Sequence, residues 1–191
     1  EETLEIYRIL RDWDGDLKVT SVPGALYQLT LSELVKLLVE ARLSQSFETK
    51  IKELDRNMMI EAIGGASFDP NQVLKFLSEI QGHVHLNVIR MLRQPGPSPW
   101  LQAAGGKKAA VNTALRRAVA KLGDMKAATA QWGHFHRATF AHPLTKALGL
   151  PPGSKPFDCP TISTGGDTNT IQQAATKSIV DLSANSSHAS L

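Results

Sequence analysis

A single cysteine, Cys159, stands among the 191 residues of this chain. No intrachain disulfide can form, but this leaves the compartment open, because many proteins of oxidising compartments carry none. Aromatic residues are scarce at 6%. With Ala and Leu plentiful, that scarcity favours helices over a β-sandwich. No run approaches the roughly 18 consecutive apolar residues of a membrane-crossing helix, so no membrane partner is expected. No secretory leader is visible, and the first residues are Glu1-Glu2-Thr3 instead of Met, so the chain reads as cleaved or processed. Basic charge is not concentrated either. Net charge is +3, and only Lys107-Lys108 and Arg116-Arg117 cluster. A nucleic-acid surface needs a denser basic face with aromatics to stack on bases, so no nucleic-acid partner is expected.

Familiar catalytic signatures are missing as well. There is no Gly-x-Ser-x-Gly elbow, and no carboxylates form an evident catalytic pair. Gly165-Gly166-Asp167 lacks both the Gly-x-Gly-x-x-Gly pattern and a Gly-Lys-Ser/Thr ending. It reads as a tight turn after a strand, capped by Asp167, Thr168 and Asn169. The acidic run Asp12-Trp13-Asp14-Gly15-Asp16 superficially resembles a calcium loop, but its closing Glu is absent and Pro23 stands there. A solvated helix end is the better reading. His134, His136 and His142 lie close in sequence, with His83 and His85 as a weaker echo. No carboxylate or thiolate falls between them, the nearest being Asp124, Asp158 and Cys159. Their spacing fits no standard zinc pattern, so structural hydrogen bonding is the expected role. Cys159 has no local feature that would depress its pKa, and reads as buried packing between Asp158 and Pro160. No catalytic, cofactor-binding or metal-binding residue is assigned, and no cofactor is expected.

What is present is mostly helical periodicity. Leu4, Ile6, Tyr7, Ile9, Leu10 and Trp13 predict an amphipathic helix over 3–13 that stops near Asp14-Gly15. Ser21 and Pro23 mark the start of a long helix carrying Leu26, Leu29, Leu34, Leu37, Leu38 and Ala41 to about Leu43, with Tyr27 and Leu31 near one face. Ser46-Phe47-Glu48 predicts a further helix, with Leu54, Met58 and Ala62 in a stripe, ending at Gly64-Gly65. Asp69-Pro70 starts another through Val73, Leu74, Leu77 and Ile80, which Gly82 is expected to break. Val84–Leu92 follows. Pro95-Gly96-Pro97-Ser98-Pro99 reads as a linker. A helix over Lys107–Leu122 buries Ala110, Val111, Ala114, Leu115, Ala118, Val119 and Leu122. Pro151–Pro156 is a second loop. Thr161–Thr164 and Ile179–Leu182 read as short strands, and Ser183–Leu191 as a polar, poorly ordered tail. The expected organisation is a helical region over 1–94, a Pro/Gly-rich linker over 95–106, and a third region over 107–191 with a helix and short strands. The fold class is α+β, mostly helical.

Three elements carry a family resemblance. They are Leu10-Arg11-Asp12-Trp13-Asp14-Gly15, followed by Ala25-Leu26-Tyr27 opening a helix; Trp132-Gly133-His134-Phe135-His136, running on to Phe140-Ala141-His142-Pro143-Leu144; and Gly165-Gly166-Asp167-Thr168-Asn169-Thr170. In order and approximate separation they resemble the later part of the β subunit of penicillin acylases, which are N-terminal-nucleophile amide hydrolases. The resemblance spans about residues 3–182. It implies an αββα core bearing a helical region and a few short strands. It also implies a precursor that cuts itself to free a Ser, Thr or Cys whose side chain attacks an amide carbonyl. The substrates it implies are penicillins, related side-chain amides and acyl-homoserine lactones.

That resemblance does not bring the reacting groups with it. Glu1 cannot act as the nucleophile, and the family's nucleophile and oxyanion Asn belong to upstream segments. The chain is therefore expected to be an inactive fragment of an amide hydrolase. Its partners would be the α subunit and the N-terminal β segment, its setting periplasmic or extracellular, and its cut edges prone to pair as a homodimer. Trp132, His136, His142 and Asp167 are expected to organise the shell behind the active site. The competing reading is a non-catalytic helical interaction module, and the weakest is a histidine metal site.

Overall fold

The computed structural model describes residues 2–53, 81–123, 125–138, 142–150, 158–167 and 170. In chain order these form α1 (Glu2–Arg11), α2 (Val22–Glu53), α3 (Gln81–Arg93), α4 (Pro99–Ala103) and α5 (Lys107–Leu122). A 3-10 turn at Ala128–Ala130 follows, then α6 (Trp132–Phe135), β1 (Arg137–Ala138), α7 (Pro143–Ala147) and β2 (Ile162–Ser163). The described residues are thus mostly helical with two short strands, in keeping with an α+β class. The strands pair antiparallel, with Arg137 opposite Ser163 and Ala138 opposite Ile162. No helix among the described residues is long and apolar enough to cross a membrane. Contacts group the chain into two compact units, Glu1–Leu29 with Ala118–Leu191, and Thr30–Arg117. The boundaries fall inside α2 and α5.

In the first unit, α1 buries Ile6 and carries Arg8 and Arg11 in its last turn, where cations complement the helix dipole. The chain then leaves the helix through a short polar loop. Asp14 Oδ1 accepts the Asp16 N–H at 3.0 Å, Gly15 takes a φ of 81°, and the Trp13 indole N–H donates to Asp16 O at 3.0 Å. The Trp13 ring rests against Tyr27, with centroids 5.3 Å apart. The next helix begins as the sequence predicts. Ser21 Oγ accepts the Gly24 N–H at 3.0 Å, an N-cap that satisfies one orphan donor, and Pro23 sits in the first turn where no N–H is needed. A Cβ on Gly24 would come within 2.9 Å of both Leu17 Cδ2 and Ser21 Oγ, so the helix start packs directly on buried Leu17. Ala25, Leu26, Leu29, Ala118, Leu122, Ala130, Trp132, Phe135 and Ala138 complete this core.

The second unit buries Leu31, Leu34, Val35, Leu38 and Val39 of α2, Val88 of α3, Leu101 of α4, and Ala110, Ala114 and Leu115 of α5. The bounds of α5 are those the periodicity predicts, because its apolar residues recur at 3 and 4 without interruption. The proline run ends in helix: Pro99 takes the first position of α4, where its missing N–H is harmless. Gly106 N–H returns to Leu101 O at 2.7 Å to close that helix, with Gly105 and Gly106 at φ of 82° and 96°.

Two local expectations are corrected. No new helix opens at Ser46, since α2 continues unbroken through residue 53. Ser is only mildly unfavourable inside a helix, so a capping residue alone does not start a new one. Gly82 does not break the helix: α3 runs across it from Gln81 to Arg93, and a glycine inside a helix costs only about 1 kcal/mol relative to Ala. The Leu54, Met58 and Ala62 stripe, the Asp69-Pro70 start, the Ile179–Leu182 strand and the tail lie outside the described residues.

Candidate functional site

The three motif segments meet in the first unit, and backbone hydrogen bonds bring them together. Between α1 and α2 the chain presents the carbonyls of alternate residues Leu17, Val19 and Ser21. Gly166 N–H donates to Leu17 O at 2.8 Å, Gly133 N–H to Val19 O at 2.7 Å, and Trp132 N–H to Ser21 O at 2.9 Å. One short stretch thereby binds both the Trp-Gly and the Gly-Gly-Asp segments. The stretch is folded by a turn in which Ser21 N–H donates to Lys18 O at 2.9 Å, and Val19 O and Ser21 O on that turn take the adjacent N–H groups of Gly133 and Trp132.

Trp132 is the centre of the arrangement and is fully buried. Its indole N–H donates to Gly166 O at 2.9 Å, so the ring's one polar atom is satisfied in the core. Burying an indole removes on the order of 200 Å² from water, roughly 5 kcal/mol in transfer terms. His136, also fully buried, stacks on Trp132 with centroids 4.8 Å apart and planes 16° apart. Its Nδ1 lies 3.2 Å from Thr164 O, and Thr164 N–H donates to His136 O at 3.0 Å. A carbonyl can only accept, so Nδ1 carries a proton here. The reciprocal pair ties the residue before β1 to the residue after β2, and so fixes the register of the two strands.

Gly133 is required by space. A Cβ there would overlap Val19 Cγ1 and stand 3.0 Å from Val19 O and from Ser163 Cβ. In the Gly-Gly-Asp turn, Gly166 has a φ of 73°, a conformation that side chains resist. Asp167 then anchors outward to α2: Gln28 Nε2 donates to its Oδ2 at 2.6 Å. The Asp167 N–H donates to Thr170 Oγ1 at 2.8 Å, and that hydroxyl donates back to Asp167 O at 3.1 Å.

The remaining motif histidines do separate work. His134 meets Phe135 edge-on at 5.3 Å. His142 is exposed and caps α7, its Nδ1 accepting the Leu144 N–H at 3.2 Å, which puts the neutral ring's proton on Nε2. Asp158 is buried and completes this cap, accepting the His142 N–H at 2.6 Å and the Thr145 hydroxyl at 2.5 Å through Oδ1. Because Asp158 takes the inward position, Cys159 is left exposed, which corrects the expectation that it packs in the core. Among the described residues no group of three His, Cys, Asp or Glu could hold a metal ion.

The acidic loop lies apart from these bonds and is neutralised locally. Lys18 Nζ reaches Asp14 at 3.0 Å and Asp16 at 3.3 Å. The Asp16 N–H, and secondarily Lys18, hold the Asp14 carboxyl below its ordinary range, while Asp14 and Asp16 hold the Lys18 ammonium above its own. Arg11 likewise pairs with Asp12 at 2.7 Å and lowers that carboxyl through the hydrogen bond. All of these groups are solvated, so their pairing is a surface feature.

The structure therefore brings Trp132, His136 and Gly165–Asp167 together and sets His142 apart at a helix start. Two contributors had escaped sequence reasoning. Gln28 could have been noticed as a polar residue on the apolar row of Ala25 and Leu29. Asp158 carries no local signal, because its partners lie 13 and 16 residues away.

The profile of the penicillin amidase family matches residues 1–190, and the chain belongs to that family of amide hydrolases. Comparison with curated proteins gave no match. Comparison with solved structures gave none.

Proposed function

We propose that this chain is the scaffolding portion of an acylase that hydrolyses linear amides, such as the side-chain amides of penicillins or of acyl-homoserine lactones. The reacting groups are supplied by other segments of the same enzyme, its α subunit and the N-terminal β segment, built on an αββα core. In that scheme a freed N-terminal Ser, Thr or Cys attacks the amide carbonyl, with its own α-amino group taking the proton. The amine leaves, and water releases the acyl group from the enzyme. Backbone N–H groups and an Asn side chain hold the oxyanion. The residues described above do none of this chemistry. The setting we assign, periplasmic or extracellular, follows from the family alone.

The observation that carries this reading is the engagement of the motif side chains. Trp132, His136 and Asp167 are spent on holding three segments of one unit together, through Gly166 O, Thr164 O and Gln28. Such commitments, with Trp132 and His136 fully buried, are what a scaffold requires. The test compares the whole enzyme with these 191 residues on phenylacetyl and long-chain acyl amides. Hydrolysis by the whole enzyme and none by the isolated chain is expected. Turnover by the isolated chain would refute the division of labour, and a whole enzyme inert to every acyl amide would favour a non-catalytic module.

A further inference from the structure

Between Gln81 and Gly123 the chain has no Asp or Glu, while Arg90, Arg93, Lys107, Lys108, Arg116, Arg117 and Lys121 all fall there. More than the whole net charge of +3 is thus carried by this one stretch. The fold gathers part of it. Arg90 and Arg93 lie in the last turn of α3, and Lys107 and Lys108 open α5. Lys107 Nζ donates to Gln94 O at 3.1 Å, so the start of α5 is tied to the end of α3 and these cations meet where the two helices are joined. All four are exposed, and among the described residues none of them forms an ion pair. Arg117, by contrast, is answered by Glu40 at 3.5 Å. The connection that this bond closes carries Trp100, 39% exposed, at the rim of an apolar hollow lined by α2 and α3. Leu86, 40% exposed, shares a face of α3 with Arg90 and Arg93, which follow it at helical spacing.

We propose that this basic junction of α3 and α5 is a contact surface for a membrane rich in anionic phospholipid headgroups. Charge complementarity comes first. Clusters of roughly four to eight Lys and Arg on a helix are drawn to anionic lipid, and each cation near the surface is worth about fivefold in binding. Arg90, Arg93, Lys107 and Lys108 form such a cluster, with no carboxylate in either helix to offset it. The exposed apolar groups come second. Attachment to a bilayer needs a second signal beside basic charge. A tryptophan ring settles at headgroup level, and Trp100 and Leu86 are both exposed in these helices. Nucleic acid fits less well, because it calls for a row of aromatics to stack on bases and α3, α4 and α5 offer Trp100 alone. The contact is peripheral, since no helix among the described residues can cross a membrane. It revises the expectation of no membrane partner, which rested on the lack of a crossing helix. It goes beyond the amidase reading and stands or falls independently of it.

The test is co-sedimentation of the purified protein with vesicles of phosphatidylglycerol and phosphatidylcholine in equal parts, against vesicles of phosphatidylcholine alone. Retention by the anionic vesicles at about 50 mM salt and release at about 0.5 M are expected, with at least about tenfold weaker retention by the neutral ones. Arg90→Gln combined with Arg93→Gln should weaken binding about 30-fold. Arg8→Gln combined with Arg11→Gln removes the same charge from the first unit and should change binding by less than about threefold. All four side chains are exposed, so both variants should fold, which circular dichroism checks. Should the Arg90 and Arg93 variant fail to fold, Lys108→Gln takes its place, with a loss of about fivefold. Trp100→Phe should remove the vesicle-induced blue shift of tryptophan emission. No retention at about 50 mM salt overturns the proposal, as do equal retention by neutral vesicles, equal losses in the two double variants, or a blue shift that survives Trp100→Phe. Release from the vesicles by polyuridylate or polyglutamate at equal charge also overturns it, and assigns the surface to nucleic acid or to an acidic protein.

Discussion

His136 shows what the motif residues do. A histidine in a hydrolase invites a role in proton transfer, yet this one is fully buried, stacked on Trp132 and hydrogen-bonded to a backbone carbonyl. Its work is to hold the residues flanking the two strands. We expect His136→Ala in the whole enzyme to lower unfolding stability by about 2–4 kcal/mol, the cost of a buried cavity and an unpaired carbonyl. Turnover of enzyme still folded should stay within about tenfold of the parent. Chemical denaturation alongside steady-state kinetics checks both. A loss of about a thousandfold in turnover at unchanged stability would instead make His136 a reacting group. The sequence made a structural role for this histidine readable, because the local histidine spacing suits no metal. It could not disclose the partner, since Thr164 lies 28 residues away. Cys159 was misread for the same reason: its exposure follows from where Asp158 finds its hydrogen bonds.

At the scale of elements, legibility followed how local the causes were. The α5 helix and the start of α2 were readable, because uninterrupted periodicity and the Ser21 cap act within one or two turns. The continuation of α2 past Ser46 was not, because a residue that can cap also tolerates a helix interior when the turns before it are already formed. The Ser21 cap has a further consequence. The same residue lends its carbonyl to Trp132 N–H, so the start of α2 and the Trp-Gly segment share an anchor. Ser21→Ala is expected to cost about 0.5–2 kcal/mol through loss of the cap alone, since the carbonyl remains. Thermal or urea unfolding measures it. Restoration by Ser21→Asp or Ser21→Thr would assign the loss to the capping oxygen, whereas no loss with Ala would show that the bond to Gly24 contributes nothing.

At the scale of the molecule, the family match over residues 1–190 and the meeting of the motif segments point the same way. The segments spaced widely along the chain come together on the carbonyls of Leu17, Val19 and Ser21. Sequence reasoning recognised the segments as a set but could not see this meeting point, because carbonyls carry no side-chain signature. It also gave no sign of the apolar hollow that the described residues of α2, α3 and α4 line, because its walls are ordinary apolar helix residues. What the motif residues lack, on this account, is a reacting role, and the enzyme must find its nucleophile in another segment. The most direct measurement is the N-terminal sequence and intact mass of the native polypeptide that contains Trp132-Gly133, purified from its source. The account predicts a longer chain opening on Ser, Thr or Cys and accompanied by a second subunit. A native chain opening at or near Glu1, with no partner, would contradict it and leave a helical binding domain.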